Sequence, residues 1–423
     1  MIARRSIFMR LDYSGAAGVS PRLVHLNSVI AETPYDILIA GAGPAGCAAA
    51  YDLARAGQRV LLLDKRNFPR PKACACGLTR KTLKALRYSV DPVIERVCHE
   101  IVLQQTSDDP AKREVRLRTR TPICAMAVRE RFDAFCLAQT LASGRNGGSA
   151  TFLKIETISA IREQQNSIEL DIITSEGPRT LQTQALIGAD GSNGQTRRIT
   201  RELSPSAQDQ HDGFALEATV PFTTLSQKLS PSAQDDLVFD FSPLPGGYGW
   251  LFPKGDHINI GVGAFAPSSG APTTNLRQVT RALLTDYALQ KLGVSELAHI
   301  TGQHLGMGGH TYIPRGRVLL VGDAAGLVDP LTGEGIHSAI VSGPAAAAAI
   351  LSNDPSIAAA YARELLPLQE TLTFSHRAAR AFYREPARGF KAMRIPFMRS
   401  LILKTYADGL PHTRLLTALA RLV

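Results

Sequence analysis

Three glycines and one acid carry the most legible chemistry in the chain. Gly41, Gly43 and Gly46 stand in GxGxxG spacing within GAGPAG, with Ala45 just ahead of the last, and Asp64 closes the next apolar run beside Lys65. This pattern suits a dinucleotide. The first glycine permits a tight turn, the second lets backbone approach a pyrophosphate, and the third packs the next helix on the sheet. An acid about 20 residues on accepts hydrogen bonds from a ribose hydroxyl. The unit alone leaves FAD and NAD(P) both open.

Two other places repeat part of this logic, Asp190-Gly191 in ALIGADGS and Asp323 in VLLVGDAA. Cys74 and Cys76 form a CxC, but no Cys/His pair follows at zinc spacing, so no metal site is expected. A buried cysteine is most often an inert small hydrophobe. Tyr248, Trp250 and Phe252 alternate in PGGYGWLFPKG, so they share one face of a strand and either wall an apolar channel or fill a core. His337, just after GEGI, is as much a structural histidine at a helix start as a site residue.

Positioning these groups requires particular elements. The run 36–40 reads as a strand buried on both faces, Pro44 suits the opening of an Ala-rich helix from Cys47 to Ala56, and Gly57 ends it. A second strand follows at 59–63, then a loop broken by Pro69 and Pro71, and a helix from near Thr79. Strands are expected at 101–105 and 114–118, a helix from Arg129 to about Ala142, a hairpin of 151–161 with 167–174, and strands from Gly213 to Gly263. From Ser338 onward the chain reads as helical. Strand-to-loop sites near 41, 190 and 323 point to one discontinuous cofactor domain interrupted by a second sheet.

At 423 residues, 44% hydrophobic and 20% charged, the chain has the composition of a globular protein of two or three domains. No apolar run approaches the roughly 18–20 residues of a membrane span. The net charge of +10 is concentrated after Thr371, where ten basic residues from Arg377 to Arg421 face only Glu385 and Asp408. Aromatic and aliphatic residues interleave with them, a pattern suited to an anionic membrane surface or to a helical layer packing its apolar side inward. Nucleic acid is not expected as a partner. Six cysteines lack the density of a secreted disulfide framework, so a reducing cytoplasm is the expected compartment. Residues 1–33 are basic without a secretory core and are expected to be a disordered N-terminal arm or an over-extended start, with an organelle transit peptide as the alternative.

Taken together, these motifs resemble the flavoprotein group built on the hydroxybenzoate-hydroxylase fold, and within it the geranylgeranyl reductase family. The resemblance spans about 34–350. It implies that GAGPAG, Asp64 and Lys65 form the FAD adenosine site and that Arg129 of RERFD lies near the phosphates and ribose. It also implies that Asp190 and Gly191 lie near the pyrophosphate, that Asp323 bonds the ribityl chain, and that Gly333, Gly335 and Ile336 bring backbone beside the flavin ring. The family pattern FPRxKxCGGGL meets FPRPKACACGL here, so Cys74 falls on the family cysteine while Ala75 and Cys76 replace glycines. Cys74 is then a candidate beside the flavin, and Tyr248 and Trp250 are candidates for the wall of an isoprenoid cavity.

The implied fold is α/β. A Rossmann-like FAD-binding domain (34–82, 122–200 and 310–352) joins a mixed β-sheet substrate domain (83–121 and 201–309) and a basic helical C-terminal region (353–423). The implied activity is FAD-dependent reduction of prenyl C=C bonds in a geranylgeranyl-type lipid, chlorophyll precursor or quinone. An FAD monooxygenase or halogenase on an aromatic or polyketide-like substrate is the alternative, although YGWLFP departs from a halogenase W-x-W-x-I-P signature. An electron-transfer flavoprotein with an iron–sulfur segment fits least, because no cysteine follows Cys136. The sequence holds no second GxGxxG unit for NADPH, so NADPH binding transiently, reduced ferredoxin or another donor protein is expected to supply electrons.

Overall fold

A strand buried on both faces needs an apolar residue at every position, and Ile37–Ala40 meets that demand with all four residues at most 1% exposed. The computed structural model describes residues 35–203, 212–225, 235–265, 279–352 and 354–409. The strands, in chain order, are β1 (Ile37–Ala40), β2 (Arg59–Asp64), β3 (Gly77–Thr79), β4 (Ile94–Cys98), β5 (Glu100–Gln104), β6 (Glu114–Arg118), β7 (Cys124–Ala127), β8 (Ser149–Lys154) and β9 (Thr157–Glu163). They continue with β10 (Ile168–Thr174), β11 (Gly177–Thr183), β12 (Ala185–Gly188), β13 (Asp212–Pro221), β14 (Leu237–Asp240), β15 (Gly247–Pro253), β16 (His257–Ala264), β17 (Thr301–Gly306) and β18 (Val318–Leu320). The helices are α1 (Pro44–Arg55), α2 (Arg80–Ala85), α3 (Arg129–Leu141), α4 (Gln195–Leu203), α5 (Arg281–Leu292), α6 (Ile336–Leu351), α7 (Ile357–Arg384), α8 (Pro386–Met393) and α9 (Pro396–Asp408).

Five parallel strands in the order β18-β12-β1-β2-β8 form the sheet beneath α1 and α6. Because they run the same way, the carboxyl ends of β1, β2, β12 and β18 meet along one edge. Ligands of such sheets bind at that edge. It brings residues 41, 64, 190 and 323 together from positions far apart in sequence. Helix α1 opens at Pro44, as expected, because proline loses no helical hydrogen bond at the first position.

A seven-stranded sheet, β17-β13-β16-β15-β14-β5-β6, is antiparallel except for the parallel pair β14–β5. Residues directly opposite across strands share a face. Phe239 opposes Trp250, Trp250 opposes Gly261, and Gly261 opposes Glu217, so all four lie on one side. The other side carries Leu216, Ile260 and Val262, and α5 covers it with Leu284 and Ala288.

Three expectations need correction. Residues 151–161 are not one strand: β8 joins the parallel sheet beside β2, the chain breaks at Ile155 and Glu156, and β9 then pairs with β10 in a separate antiparallel sheet. Ile155 is buried and donates its N–H to Asp64 O (2.9 Å), which anchors the switch between sheets. β11 was not foreseen, because GPRTLQT has little apolar alternation and lies at a sheet edge. Finally, 83–121 does not belong wholly with the seven-stranded sheet. β4 pairs instead with β7, which also pairs with β3, and His99 separates β4 from β5.

The described residues from 35 to 409 fall within one compact unit. In the basic C-terminal region, Phe390, Met393, Leu403 and Ala407 are buried in one apolar cluster with Phe239 and Trp250. The inward-packing reading of that region therefore holds for these positions, while Ile395 and Phe397 remain 44% and 56% exposed. The expected N-terminal arm, Arg414 and Arg421 lie outside the described residues.

Candidate active site

The glycine turn is a consequence of crowding. Gly41 has φ +106°, and a Cβ there would sit 2.2 Å from Ala189 O on the neighbouring loop. A Cβ on Gly46 would meet Gly41 O at 1.9 Å, so neither position accepts a side chain. Gly43 caps α1 without a side-chain hydrogen bond, and the helix has no acid in its first turn. Its first N–H groups therefore face the cleft without a side-chain cap, an arrangement suited to an anion. Asp64 accepts from Ala42 N and Arg66 N, both at 3.0 Å, and its remaining lone pairs are available to hydroxyl donors.

Cations gather opposite this helix end. Arg129, the first residue of α3, forks onto Asp133 with two 2.7 Å bonds one turn later. Arg70 approaches the same carboxylate at 3.3 Å. Lys72 has no ion-pair partner among the described residues, and its pKa is lowered by burial and by Arg129, against the pull of Asp323. A cation held this way is ready for a phosphate. The residues together fit the adenosine, ribose and pyrophosphate of a dinucleotide.

The cleft measures about 790 Å³ and runs from the sheet edge to β13 and β16. Gly41, Gly43, Ala45, Asp64, Lys65, Arg129, Asp190, Gly191, Asp323, Gly333, Gly335 and Ile336 all line it, as does Cys74. Gly46 lies behind the turn. Asp190 also starts α4, accepting from Thr196 N at 3.0 Å and from the Thr196 hydroxyl, and burial raises its pKa despite these bonds.

The Cys74 loop is pinned from the sheet. Cys74 N–H donates to Glu217 Oε1 (2.8 Å), and Cys74 Sγ accepts from Cys76 N (3.3 Å). The Lys254 ammonium, almost wholly buried, donates to Ala75 O and to Ala127 O (2.9 Å for the latter). Cys76 holds φ +48°, a left-handed conformation that costs an L-residue about 1–2 kcal/mol and that glycine adopts freely. Glu217 carries a pKa raised by burial, partly offset by the Cys74 N–H and Asn259.

Sequence reasoning missed Arg70, Lys72, Glu217, Lys254 and Asn259. Arg70 and Lys72 were visible as basic residues in FPRPK beside the dinucleotide unit. Glu217 left a fainter signal, an acid inside the apolar run GFALEATV.

Tyr248 and Trp250 share the cleft-side face of the sheet but do not line the cleft. Tyr248 donates its hydroxyl to Thr332 O, and Trp250 Nε1 donates to Asn259 Oδ1 (2.7 Å). Both pack in an aromatic cluster, with Phe239 centred 5.3 Å from Tyr248 and Phe241 centred 4.8 Å from Phe382 of α7. The channel expected there is filled with side chains. His337 also lies away from the cleft lining, with its pKa pushed down to about 4 by burial and Lys81.

Comparison with known proteins gives this geometry a family. An uncharacterized protein of Methanosarcina barkeri is 33% identical over 331 residues, covering 77% of this chain and 76% of that one. A geranylgeranyl diphosphate reductase of Rhodobacter capsulatus is 29% identical, covering 75% of each. Among solved structures, a geranylgeranyl bacteriochlorophyll reductase-like protein of Thermoplasma acidophilum superposes with TM-score 0.71 at 21% identity, covering 90% of this chain and 98% of that one. A flavin-dependent brominase gives TM-score 0.68 at 15% identity, covering 89% and 94%. At such identities these two structures show the fold alone. Residues 34–351 match the FAD binding domain family, and with three quarters of its length inside that match the chain belongs to that family.

Proposed function

We propose that the chain is an FAD-dependent reductase of C=C bonds in a prenyl lipid of the geranylgeranyl type, a chlorophyll precursor or a quinone side chain. The observation that carries this reading is the continuity of the cleft. One end is a glycine-and-cation site fitted to FAD, and the other opens on the β13–β16 sheet face at Glu217, Thr219 and Asn259, with the packed cluster of Trp250, Tyr248 and Phe239 beside it. FAD, when reduced, supplies a hydride. The chain supplies the rest. Lys72, Arg70 and Arg129 neutralise the pyrophosphate, Asp64 binds ribose, and Asp323 with Gly333, Gly335 and Ile336 sets the ring end.

Cys74, on a loop pinned by Glu217 and Lys254, packs beside the reacting face. Tyr248 and Trp250, packed in the aromatic cluster beside Asn259, support the substrate end of the cleft from behind. Relatives whose names specify geranylgeranyl diphosphate or geranylgeranylated phospholipid reductases support this substrate class. Electrons come from an outside donor, NADPH or a reduced ferredoxin. Ile395 and Phe397, flanked by Arg388, Lys391, Arg394 and Arg399, form the part of the C-terminal region suited to contact an anionic membrane.

Three probes test the reading: geranylgeranyl diphosphate, a geranylgeranylated glycerophospholipid and a menaquinone, each incubated with reduced holoprotein. At least one should gain hydrogen in steps of two atoms by mass spectrometry. No gain with any of them contradicts the proposal.

A further inference from the structure

Saturating a C=C bond needs a proton as well as a hydride, and a carboxyl group lining the cleft can supply it. Asp64 is committed to the glycine turn, Asp190 to the start of α4, and Asp323 sits close to Gly335 at the ring loop. Glu130 is exposed on α3. Glu217 differs from all of these. It rises from β13 on the sheet face shared with Trp250, lines the cleft, and is only partly buried. Its Oε1 takes the Cys74 N–H, and Asn259 bonds its side chain. Because Asn259 Oδ1 is occupied by the Trp250 indole, its amide nitrogen is the group left to donate.

We propose that Glu217 delivers the proton that completes reduction of the substrate double bond, and that its Oε1 holds the Cys74 loop in register while it does so. The inference rests on the reductase reading. In the step, the π electrons of the alkene form a C–H bond with the proton of the Glu217 carboxyl, whose O–H bond breaks. The adjacent carbon receives the hydride that reduced FAD provides. The resulting carboxylate regains a proton from water at the cleft mouth, so no further reactant is required. Burial raises the Glu217 pKa above the ordinary glutamate value, the direction that favours the neutral carboxyl a proton donor needs.

The test uses holoprotein as wild type, Glu217→Gln and Glu217→Ala. Gln keeps an acceptor for Cys74 N–H but has no acidic proton, and Ala removes both. Dithionite-reduced protein is mixed anaerobically with geranylgeranyl diphosphate across a pH series. FAD affinity, alkylation of Cys74 by iodoacetamide, and the infrared carboxyl band are measured in parallel.

Glu217→Gln should bind FAD and expose Cys74 as the wild type does, yet lose about 10²- to 10⁴-fold in product formation. The wild-type rate should fall as pH rises through the raised Glu217 pKa, and that fall should be absent from the residual rate of Glu217→Gln. Glu217→Ala should in addition alkylate Cys74 faster. At a pH where ordinary glutamates are ionised, the wild type should show a protonated carboxyl band that Glu217→Gln lacks.

A Glu217→Gln rate within about threefold of wild type, with the same pH profile, overturns the proposal. Identical infrared bands in the two proteins overturn it as well. A wild type that makes no product contradicts the reductase reading instead, and the infrared comparison still decides whether Glu217 holds the proton.

Discussion

One face of the seven-stranded sheet carries two neighbouring patches built to opposite rules. At β13 and β16 it presents Glu217, Thr219 and Asn259 to an open cleft, with Glu217 bonded to the Cys74 loop and Asn259 to Trp250. At β14 and β15 it presents Phe239, Tyr248, Trp250 and Phe252, sealed beneath Phe390, Met393 and Leu403 of the C-terminal helices. The single bond from Trp250 to Asn259 marks the border. The first patch leaves polar side chains along an open cleft, and the second packs apolar ones. A substitution should therefore affect folding on one side of Asn259 and binding or catalysis on the other.

The largest effect should come from the sealed patch. Trp250→Ala opens a cavity and leaves Asn259 without its donor, and urea denaturation should show a loss of about 3–5 kcal/mol. A loss under about 1 kcal/mol would mean that the aromatic patch is not packed as described. The cleft should respond in the opposite way. Lys72→Met should leave stability within about 0.5 kcal/mol of wild type, because the ammonium has no ion-pair partner among the described residues to lose. FAD binding should weaken by about 1.5–3 kcal/mol, read by fluorescence titration. Unchanged FAD affinity would remove Lys72 from the phosphate site.

A smaller effect concerns pH. The folded-state pKa of Glu217 lies above its unfolded value because of burial, so between those two values the folded protein binds more protons than the unfolded chain. Its contribution is fully present below the unfolded value and is lost as pH rises through the folded one. Glu217→Gln should therefore lose less stability than wild type across that window, and equal slopes in the two proteins would contradict the assignment. The smallest folding effect belongs to the outer surface. Phe397→Ser should change stability by no more than about 0.5 kcal/mol. It should still reduce sedimentation with vesicles rich in phosphatidylserine, and undiminished sedimentation would argue against contact through this turn.

How much of this was legible in the sequence depended on distance along the chain. Gly41, Gly46 and Asp64 lie within one βαβ unit, and their spacing alone specified the turn. Asp190 and Asp323 were legible because a parallel sheet must bring the carboxyl ends of its strands to one edge. Glu217 and Lys254 were not, since the loop residues they hold lie 143 and 179 positions away. No local pattern encodes such partners. Period-two alternation placed Tyr248, Trp250 and Phe252 on one face correctly. It could not show that the face would be sealed, because the sealing residues Phe390 and Leu403 belong to helices more than a hundred residues later. The break at Ile155 was hidden for a related reason: 149–163 remains strand-like throughout, and only pairing with β2 or β10 tells its two halves apart.

Reduced flavin in this cleft is proposed to hydrogenate a prenyl chain. A single-turnover experiment tests it most directly, with dithionite-reduced holoprotein mixed with geranylgeranyl diphosphate under strict anaerobiosis and FAD reoxidation followed by absorbance. The account predicts reoxidation without oxygen, with one C=C bond saturated for each FAD oxidised. Reoxidation that requires oxygen, with an oxygen or halogen atom in the product, would contradict it.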